Sequence, residues 1–258
     1  MPDLCFRNPL KAKLEKGNVT YGYLATLESA TTSEVAADLG LDWVVIDMEH
    51  GSLSFKDVVN HMRALRGSDT AALVRIPSNS IDNIKRALDL GAHGLFLPLI
   101  RTADDVEQAY KYARYPTLGE RGLGGERAVH WGLGTRQYVE VADDETMIIP
   151  IIETADAIRN MPDILNAPGV QAVFYGLGDL AQSMGYRAGT TGPEIEDAVK
   201  STTELAHAKE VSTGVLCWGV DEMRQRIRQG FRMIGLGTNI KLMITQTRQL
   251  LDAMKVDQ

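Results

Sequence analysis

Two carboxylates and an imidazole follow directly after an apolar segment: Asp47, Glu49 and His50 come after the Trp-Val-Val-Ile run at 43–46. An unbroken β-branched and aromatic run is typical of a parallel strand covered on both faces. Such strands bind ligands at their carboxyl ends, so the position predicts a site. An aspartate three residues before a histidine can orient the imidazole and leave one ring nitrogen free as a base. Glu49 would orient this pair or anchor a hydrogen bond.

Arg75, Glu153 and Asp179 stand at or just after the ends of three further predicted strands. In a barrel, all of these strand ends converge on one mouth. A guanidinium that points into a barrel needs a carboxylate or an oxyanion beside it. Arg75 therefore either binds a negatively charged substrate oxygen or pairs with Asp47 or Glu49.

The oxygens of Glu153 and Asp179 are the hard ligands that Mg²⁺ or Mn²⁺ prefers, with positions left open for water and substrate. Zinc is disfavoured because the site offers one histidine and no cysteine. Without a cation, two carboxylates about 4 Å apart repel by about 4 kcal/mol at an effective dielectric of about 20, so one would tend to protonate. The alternative role for Asp179 is to cap a helix that begins at Leu180.

Two glycine-rich segments offer backbone N–H groups to a carboxylate or a phosphate. One spans 119–127 and includes Gly125; the other, 176–178, directly precedes Asp179. The first is too long for a simple connector. No predicted strand ends in a lysine. A Schiff-base aldolase is therefore disfavoured, because it needs a lysine inside the barrel.

Strand and helix patterns alternate along the chain and predict one architecture. The predicted strands are 20–26, 43–46, 71–76, 94–98, 147–152, 170–175, 213–217 and 233–236, and the predicted helices are 8–17, 32–39, 54–65, 80–91, 103–113, 154–165, 193–208 and 220–229. Eight strands, each followed by a helix, predict a single (β/α)₈ TIM barrel in one domain over 1–258. The alternative, a doubly wound sheet, lacks its GxGxxG fingerprint.

A final helix is predicted beyond the last strand. Its apolar residues recur at helical spacing: Ile240, Met243, Ile244, Leu250, Leu251 and Met254. This apolar face must pack on its own barrel or on a neighbouring subunit.

Composition narrows the classes of function. The 258 residues carry a net charge of −7 and no basic run, which argues against nucleic-acid and membrane-surface binding. No apolar stretch reaches the roughly 18 residues of a membrane span, and no signal-peptide pattern precedes the fold. Cys5 and Cys217 are far apart and form no CxxC motif. A cytoplasmic protein without disulfides is expected.

With these residues placed, the chain resembles the HpcH/HpaI aldolase family from about residue 8 onward. These metal-dependent, class II pyruvate aldolases cleave 4-hydroxy-2-oxo acids, and sister activities act on 2-keto-3-deoxy sugar acids. The resemblance rests on segments 42–50, 74–75, 114–116 with 119–124, 152–154 and 178–180. Each segment alone is unspecific, but the set together is specific.

The resemblance implies a hexamer, a trimer of dimers that exchange their last helices. It implies a divalent metal (Mg²⁺, Mn²⁺ or Co²⁺) on Glu153 and Asp179, chelated by the carboxylate and keto oxygens of pyruvate. His50, held by Asp47, would move the protons of the C4 hydroxyl and the pyruvate methyl together with a metal-bound water. Arg75 would bind the keto oxygen and stabilise the enolate. The metal would act as Lewis acid and template.

Three positions depart from the family pattern. Ile151 replaces a frequent glutamine, Gly125 replaces a serine, and Leu177 replaces the proline of Gly-Pro-Ala-Asp. The backbone N–H of Gly178 could still hold a substrate carboxylate. These changes leave the metal ligands and the base intact but bear on the pyruvate contacts and the aldehyde acceptor, as does Trp218 at the mouth.

Two other functions remain open from the sequence. One is a related lyase or decarboxylase that also passes through an enolate, acting on an acyl-CoA ester or resembling macrophomate synthase. The acyl-CoA version is disfavoured because the chain shows no evident basic patch for a nucleotide. The other is a non-catalytic barrel that binds a ligand or assembles with other chains.

Overall fold

The computed structural model describes residues 6–187 and 190–255. Its eight parallel strands close into a barrel in sequence order, with β8 paired to β1. This confirms the predicted (β/α)₈ fold, and every predicted strand is present with ends that shift by at most two residues. The strands are β1 (Thr20–Ala25), β2 (Trp43–Asp47), β3 (Ala71–Arg75), β4 (Gly94–Leu97), β5 (Met147–Ile152), β6 (Ala172–Tyr175), β7 (Ser212–Leu216) and β8 (Met233–Thr238).

Helices surround the barrel and connect its strands. They are α1 (Pro9–Leu14), α2 (Thr31–Asp38), α3 (Phe55–Ala64), α4 (Ile81–Asp89), α5 (Ala103–Ala113), α6 (Thr135–Glu145), α7 (Ala155–Arg159), α8 (Met161–Ile164), α9 (Leu177–Ser183), α10 (Pro193–Ala208), α11 (Val220–Arg228) and α12 (Asn239–Lys255). A short 3₁₀ turn spans Arg127–Val129. Among the described residues, no helix is both long and apolar enough to cross a membrane.

Between β4 and β6 the observed helices differ from the prediction at two places. No helix is predicted over Thr135–Glu145, yet α6 fills this segment. The helix predicted over 154–165 is two pieces, α7 and α8, which meet at Asn160. Pro162 occupies the second position of α8. Proline is accepted in a first turn, but its missing N–H and its ring prevent one continuous helix through this point.

The core has two large parts, one inside the barrel and one between the sheet and the helices, and a smaller third cluster that includes Tyr115 and Tyr138. β2 and β5 are buried along their whole length, as their uninterrupted apolar runs predict. Trp43 is fully buried inside the barrel. A Cβ at Gly22 would lie 2.1 Å from the carbonyl oxygen of Trp43, so only glycine lets β1 and the Trp43 indole meet this closely.

α12 leaves its apolar face uncovered. The predicted helix is present and contacts β8 and β1, but none of its residues is buried. The exposed apolar side chains are Leu242, Met243, Ile244, Leu250, Leu251 and Met254. Within one chain, therefore, the barrel does not cover this face.

Candidate active site

Arg75 and Asp47 form an ion pair at the carboxyl ends of two neighbouring strands. The register of β2 and β3 places them side by side. Arg75 Nε donates to Asp47 Oδ1 (2.8 Å), and NH2 donates to Oδ2 (2.5 Å). Burial acts to lower the pKa of Arg75, but the hydrogen bonds and charge of the solvent-inaccessible Asp47 prevail and raise it. This two-point contact holds the guanidinium plane in one orientation.

Glu49 makes a second contact with the same guanidinium. Its Oε2 lies 3.3 Å from Arg75 NH1 and 3.8 Å from His50 Nε2. The contact with NH1 lacks hydrogen-bond geometry, so Oε2 is buried without a hydrogen-bond donor among the described residues. Burial raises the pKa of Glu49, Arg75 and His50 oppose that rise, and Asp47 adds to it. The His50 side chain is 63% exposed, so solvent and substrates can reach the imidazole.

Glu153 is a buried carboxyl directly after β5. It is 3% exposed, and its Oε1 accepts a hydrogen bond from the backbone N–H of Leu99 (2.6 Å). Burial raises the pKa of Glu153 to about 7; the Leu99 N–H opposes the rise, and the charges of Glu49 and Asp179 add to it. Near neutral pH, this carboxyl therefore exchanges readily between its acid form and an anion that lacks a full counter-charge.

Asp179 lies in the first turn of α9. The helix begins at Leu177 with Gly176 as its N-cap, so the alternative role for Asp179, capping a helix that begins at Leu180, is wrong. Asp179 is exposed, and its Oδ1 accepts from Gln182 Nε2 (3.3 Å). Gly178 belongs to the same turn, where the first backbone N–H groups have no partner within the helix.

Arg75, Glu153 and Asp179 line one cavity of about 150 Å³ at the carboxyl end of the barrel, whereas Asp47, Glu49 and His50 are not part of its lining. Its polar wall is formed by Arg75, Glu153, Gly178 and Asp179. Its apolar wall consists of Leu24, Phe96, Ile151, Phe174, Leu177, Leu216 and Trp218. The volume is below the roughly 300–1,000 Å³ of pockets for drug-sized ligands, so it suits a small organic acid.

The charges at this end of the barrel fit a hard divalent cation. Glu49, Glu153 and Asp179 act on one another as like charges, and Arg75 is the cation that opposes them at both glutamates. Carboxylate oxygens are the ligands that Mg²⁺ and Mn²⁺ prefer. The described residues contain no group of three or more His, Cys, Asp or Glu side chains placed to hold a metal ion. The donor set that the sequence predicts is the pair Glu153 and Asp179.

One predicted contact is wrong. Asp47 meets His50 through the backbone, since its Oδ1 accepts from the N–H groups of Glu49 (3.1 Å) and His50 (3.3 Å). Both oxygens of Asp47 are directed at Arg75 instead of the imidazole. The cause is the register of β2 and β3, which places Arg75 opposite Asp47. The Arg75 guanidinium therefore binds the carboxylate oxygens that the His50 imidazole would otherwise contact.

The sequence and the fold match known proteins. The family model described as HpcH/HpaI aldolase/citrate lyase matches residues 21–246, a span that includes every charged residue of the cavity. The chain belongs to this family. The resemblance drawn from the sequence motifs is thereby confirmed.

The relatives of this chain include two aldolases. The chain is 34% identical over 244 residues to a 4-hydroxy-2-oxovalerate aldolase of Rhodococcus jostii, covering 94% of both proteins. It is 32% identical over 257 residues to a hydroxypyruvate/pyruvate aldolase of Paraburkholderia phytofirmans, covering 97% of this chain and 98% of that protein. An HpcH/HpaI aldolase/citrate lyase family protein from Burkholderia cenocepacia superposes with a TM-score of 0.90 at 31% identity, covering 96% and 99% of the two chains.

The three departures from the HpcH/HpaI pattern lie in different places. Ile151 and Leu177 line the cavity, where each presents an apolar side chain. Gly125 is exposed in the long loop and does not line the cavity of its own chain. A role for Gly125 in substrate binding therefore stays a prediction. Trp218 does line the cavity and is 58% exposed, as expected of a residue at the mouth.

Leu99 contacts the site through its backbone N–H, and no sequence pattern predicts this contact. It follows β4, has a left-handed backbone (φ 54°) and directs its N–H to Glu153. A leucine in this conformation leaves no pattern in the sequence, because glycine or asparagine is the usual signal. The apolar lining residues Phe96 and Phe174 were also missed as site residues, since their side chains read only as barrel core.

Proposed function

We propose that this chain is a divalent-metal-dependent aldolase that cleaves or forms 4-hydroxy-2-oxo acids. The donor is pyruvate or a close 2-oxo acid, and the acceptor is an aldehyde. The single observation that carries the proposal is the meeting of the fixed Arg75 guanidinium with Glu153 and Asp179 in one small cavity. The named activities of the two aldolase relatives support the same reaction class.

Glu153 and Asp179 would hold Mg²⁺, Mn²⁺ or Co²⁺. The pKa of about 7 for Glu153 and the donor-free Oε2 of Glu49 support this role, because both reflect negative charge without a full partner. When bound, the cation supplies Lewis-acid charge that stabilises the oxygens of a 2-oxo acid and its enolate. Substrate binding and proton transfer are assigned to side chains and backbone groups of the chain itself.

Arg75 binds the keto oxygen of the substrate. Asp47 accepts hydrogen bonds from Nε and from one N–H of NH2. The other N–H groups of NH1 and NH2 can donate to an oxyanion. The keto oxygen gains negative charge as the enolate forms, and a donor fixed beforehand stabilises that charge without reorganising. Gly178, in the first turn of α9, offers its backbone N–H to the substrate carboxylate.

His50 moves the protons. In the cleavage direction, its imidazole accepts the proton of the C4 hydroxyl, the C3–C4 bond breaks, and the aldehyde leaves. The bonding electrons become the enolate of the 2-oxo acid, and a proton returned to C3 completes the product. Glu49, 3.8 Å from His50 Nε2, stabilises the imidazolium between these two steps.

We also propose that α12 is covered by a second copy of the chain in a homo-oligomer. Its exposed apolar side chains include Leu250 and Leu251, which are 61% and 55% exposed. A contiguous apolar helix face of this kind marks a protein–protein contact. A hexamer is the state that the family resemblance implies.

The deciding experiment follows the methyl protons of pyruvate in D₂O by ¹H NMR, which needs no knowledge of the aldehyde. Metal-stripped protein should leave the methyl signal intact, and added Mg²⁺ or Mn²⁺ should cause its loss. His50→Ala and Arg75→Ala should slow exchange by about 10²–10³-fold. Arg228→Ala, an exposed arginine on α11, is the matched control and should exchange at the wild-type rate. Exchange that persists in excess chelator contradicts the proposal.

A further inference from the structure

A groove of about 730 Å³ lies at the amino end of the barrel. Its floor includes Thr70, His93 and Thr146, which directly precede β3, β4 and β5. Arg75 and Glu153 stand at the opposite ends of two of these strands. A strand of five residues spans roughly 17 Å, so this amino-end groove is separate from the active-site cavity.

Three arginines from two distant segments meet on this groove. Arg63 and Arg66 come from the end of α3 and the turn after it, and Arg127 comes from the long loop before α6. The guanidinium of Arg127 donates to two neutral carbonyls, those of Leu90 (2.6 Å) and Met62 (3.0 Å). Burial lowers the pKa of Arg127, and the charges of Arg66 and Arg63 lower it further. Every charged group that shifts this pKa is thus another arginine.

The acidic residues of the groove do not neutralise this cluster. Asp69 and Glu145 are its only carboxylates among the described lining residues, against four arginines when Arg7 is counted. Glu145 Oε2 already accepts the backbone N–H of Asn8 (2.6 Å). In a chain of net charge −7, a concentration of unpaired positive charge at one place favours a negatively charged ligand there.

An aromatic wall stands beside the arginines. Trp131 lines the groove and is 60% exposed. His130, Trp131 and Gly132 have consecutive positive φ angles of 49°, 55° and 88°. Left-handed backbone is costly for the first two, and here it holds a large apolar side chain open to solvent. The pKa of His130 is lowered by burial and by Arg66 and Arg127, so the wall adjoins the charged cluster.

His93 lines the groove as a neutral imidazole. Its Nδ1 lies 3.1 Å from the backbone N–H of Ala72 and accepts from it, so the ring proton must be on Nε2. Burial lowers the pKa of His93 to about 4, which keeps the ring neutral at pH 7. His93 therefore adds no charge to the groove.

We propose that the amino-end groove binds a small phosphate ester. Its phosphate oxygens lie among the guanidiniums of Arg63, Arg66 and Arg127, and its planar group lies against Trp131. Several guanidiniums match the charge and the oxygen geometry of a diphosphate better than those of a single carboxylate. An exposed indole offers a stacking surface to a flat ring, and the volume falls within the usual range of small-molecule pockets. The inference is independent of the proposed aldolase activity.

The test titrates the full-length protein with ADP and with pyrophosphate, following tryptophan fluorescence and the heat of binding. Arg66→Gln should weaken binding of both ligands by about tenfold, since a hydrogen bond to a charged group is lost. Arg66 is exposed and its side chain makes no hydrogen bond or ion pair among the described residues, so the substitution should leave the fold intact. Arg228→Gln, on α11, is the control of equal charge change. Trp131→Phe should abolish the fluorescence response while the heat of binding persists.

The two ligands separate the possible sources of the phosphate. Tighter binding of ADP than of pyrophosphate, with the advantage reduced in Trp131→Ala, identifies a nucleotide-type ester. Equal binding identifies the phosphate groups alone as the ligand, which keeps the anion site but overturns the ring contact. No saturable binding, or binding that Arg66→Gln and Arg228→Gln weaken equally, overturns the proposal as a whole. None of these outcomes depends on aldolase turnover.

Discussion

Arg75 and Asp47 lie on adjacent strands, with Nε 2.8 Å from Oδ1 and NH2 2.5 Å from Oδ2, and Asp47 is fully buried. Removing one partner of a buried pair leaves the other charge uncompensated. Asp47→Ala should therefore reduce the free energy of unfolding by about 3–5 kcal/mol, measured by urea denaturation.

An exposed ion pair provides the comparison. Arg136 and Glu140 are one helical turn apart on α6, with side chains 89% and 59% exposed. Glu140→Ala should leave the free energy of unfolding unchanged within the error of the measurement, because solvent screens this pair. Equal losses in the two variants would show that burial does not strengthen the Asp47 pair.

Arg75→Lys tests whether the guanidinium fork matters beyond its charge. Lysine keeps one positive charge but cannot give two parallel hydrogen bonds to Asp47 and still donate in a fixed direction to an oxyanion. We expect kcat for aldol cleavage, or the pyruvate exchange rate, to fall about 10²–10³-fold. Thermal unfolding of the same variant gives the stability change, and a full-rate enzyme would exclude Arg75 as an oriented donor.

The raised pKa of Glu153 predicts how pH affects the metal-free protein. The ordinary value is 4.5 and the folded value is about 7, so the folded state binds more protons than the unfolded state between these pH values. Stability should therefore fall as pH rises through this window, by at most about 3 kcal/mol. Urea denaturation in EDTA at pH 5 and pH 8 measures the fall.

Glu153→Gln should remove this pH dependence and, at pH 8 without metal, leave the protein as stable as wild type or more stable. The same variant should lose Mn²⁺ affinity, because an amide is a poorer ligand than a carboxylate. A variant that keeps both the slope and the metal affinity would assign them to another carboxyl group.

The exposed face of α12 predicts an oligomer that depends on it. Leu250→Glu with Leu251→Glu should shift the molecular mass from light scattering toward the monomer, because charge on an apolar interface is costly. Gln249→Glu, on the same helix, is the control and should keep the wild-type mass. An unchanged mass in the double variant would show that the helix is not the contact.

Much of the barrel could be predicted from sequence because its strands are buried on both faces and read as apolar runs, as in β2 and β5. α6 was missed for a physical reason. Only Tyr138 and Ala142 of this helix are buried. A single buried pair four residues apart is too narrow a stripe to show a helical period.

The charged residues of the site were predictable because strand ends converge, but their pairing was not. The spacing along the chain favours a contact between Asp47 and His50. The register between β2 and β3 instead places Arg75 beside Asp47, and the ion pair forms there. Register depends on how the whole barrel closes, which no short segment encodes. The cluster of Arg63, Arg66 and Arg127 could not be predicted for the same reason, because its members come from segments about 60 residues apart.

The backbone amide of Leu99 donates a hydrogen bond to Glu153, so its NMR signal should report on the state of that carboxyl group. Its N–H meets a carboxylate oxygen at 2.6 Å, while the Leu99 side chain is 57% exposed. Protonation of Glu153, or coordination of its oxygens by a cation, changes the charge that this amide senses. Its nitrogen chemical shift and its hydrogen-exchange rate should therefore follow occupancy directly. The chain thus carries a spectroscopic probe in its own backbone, one hydrogen bond away from Glu153.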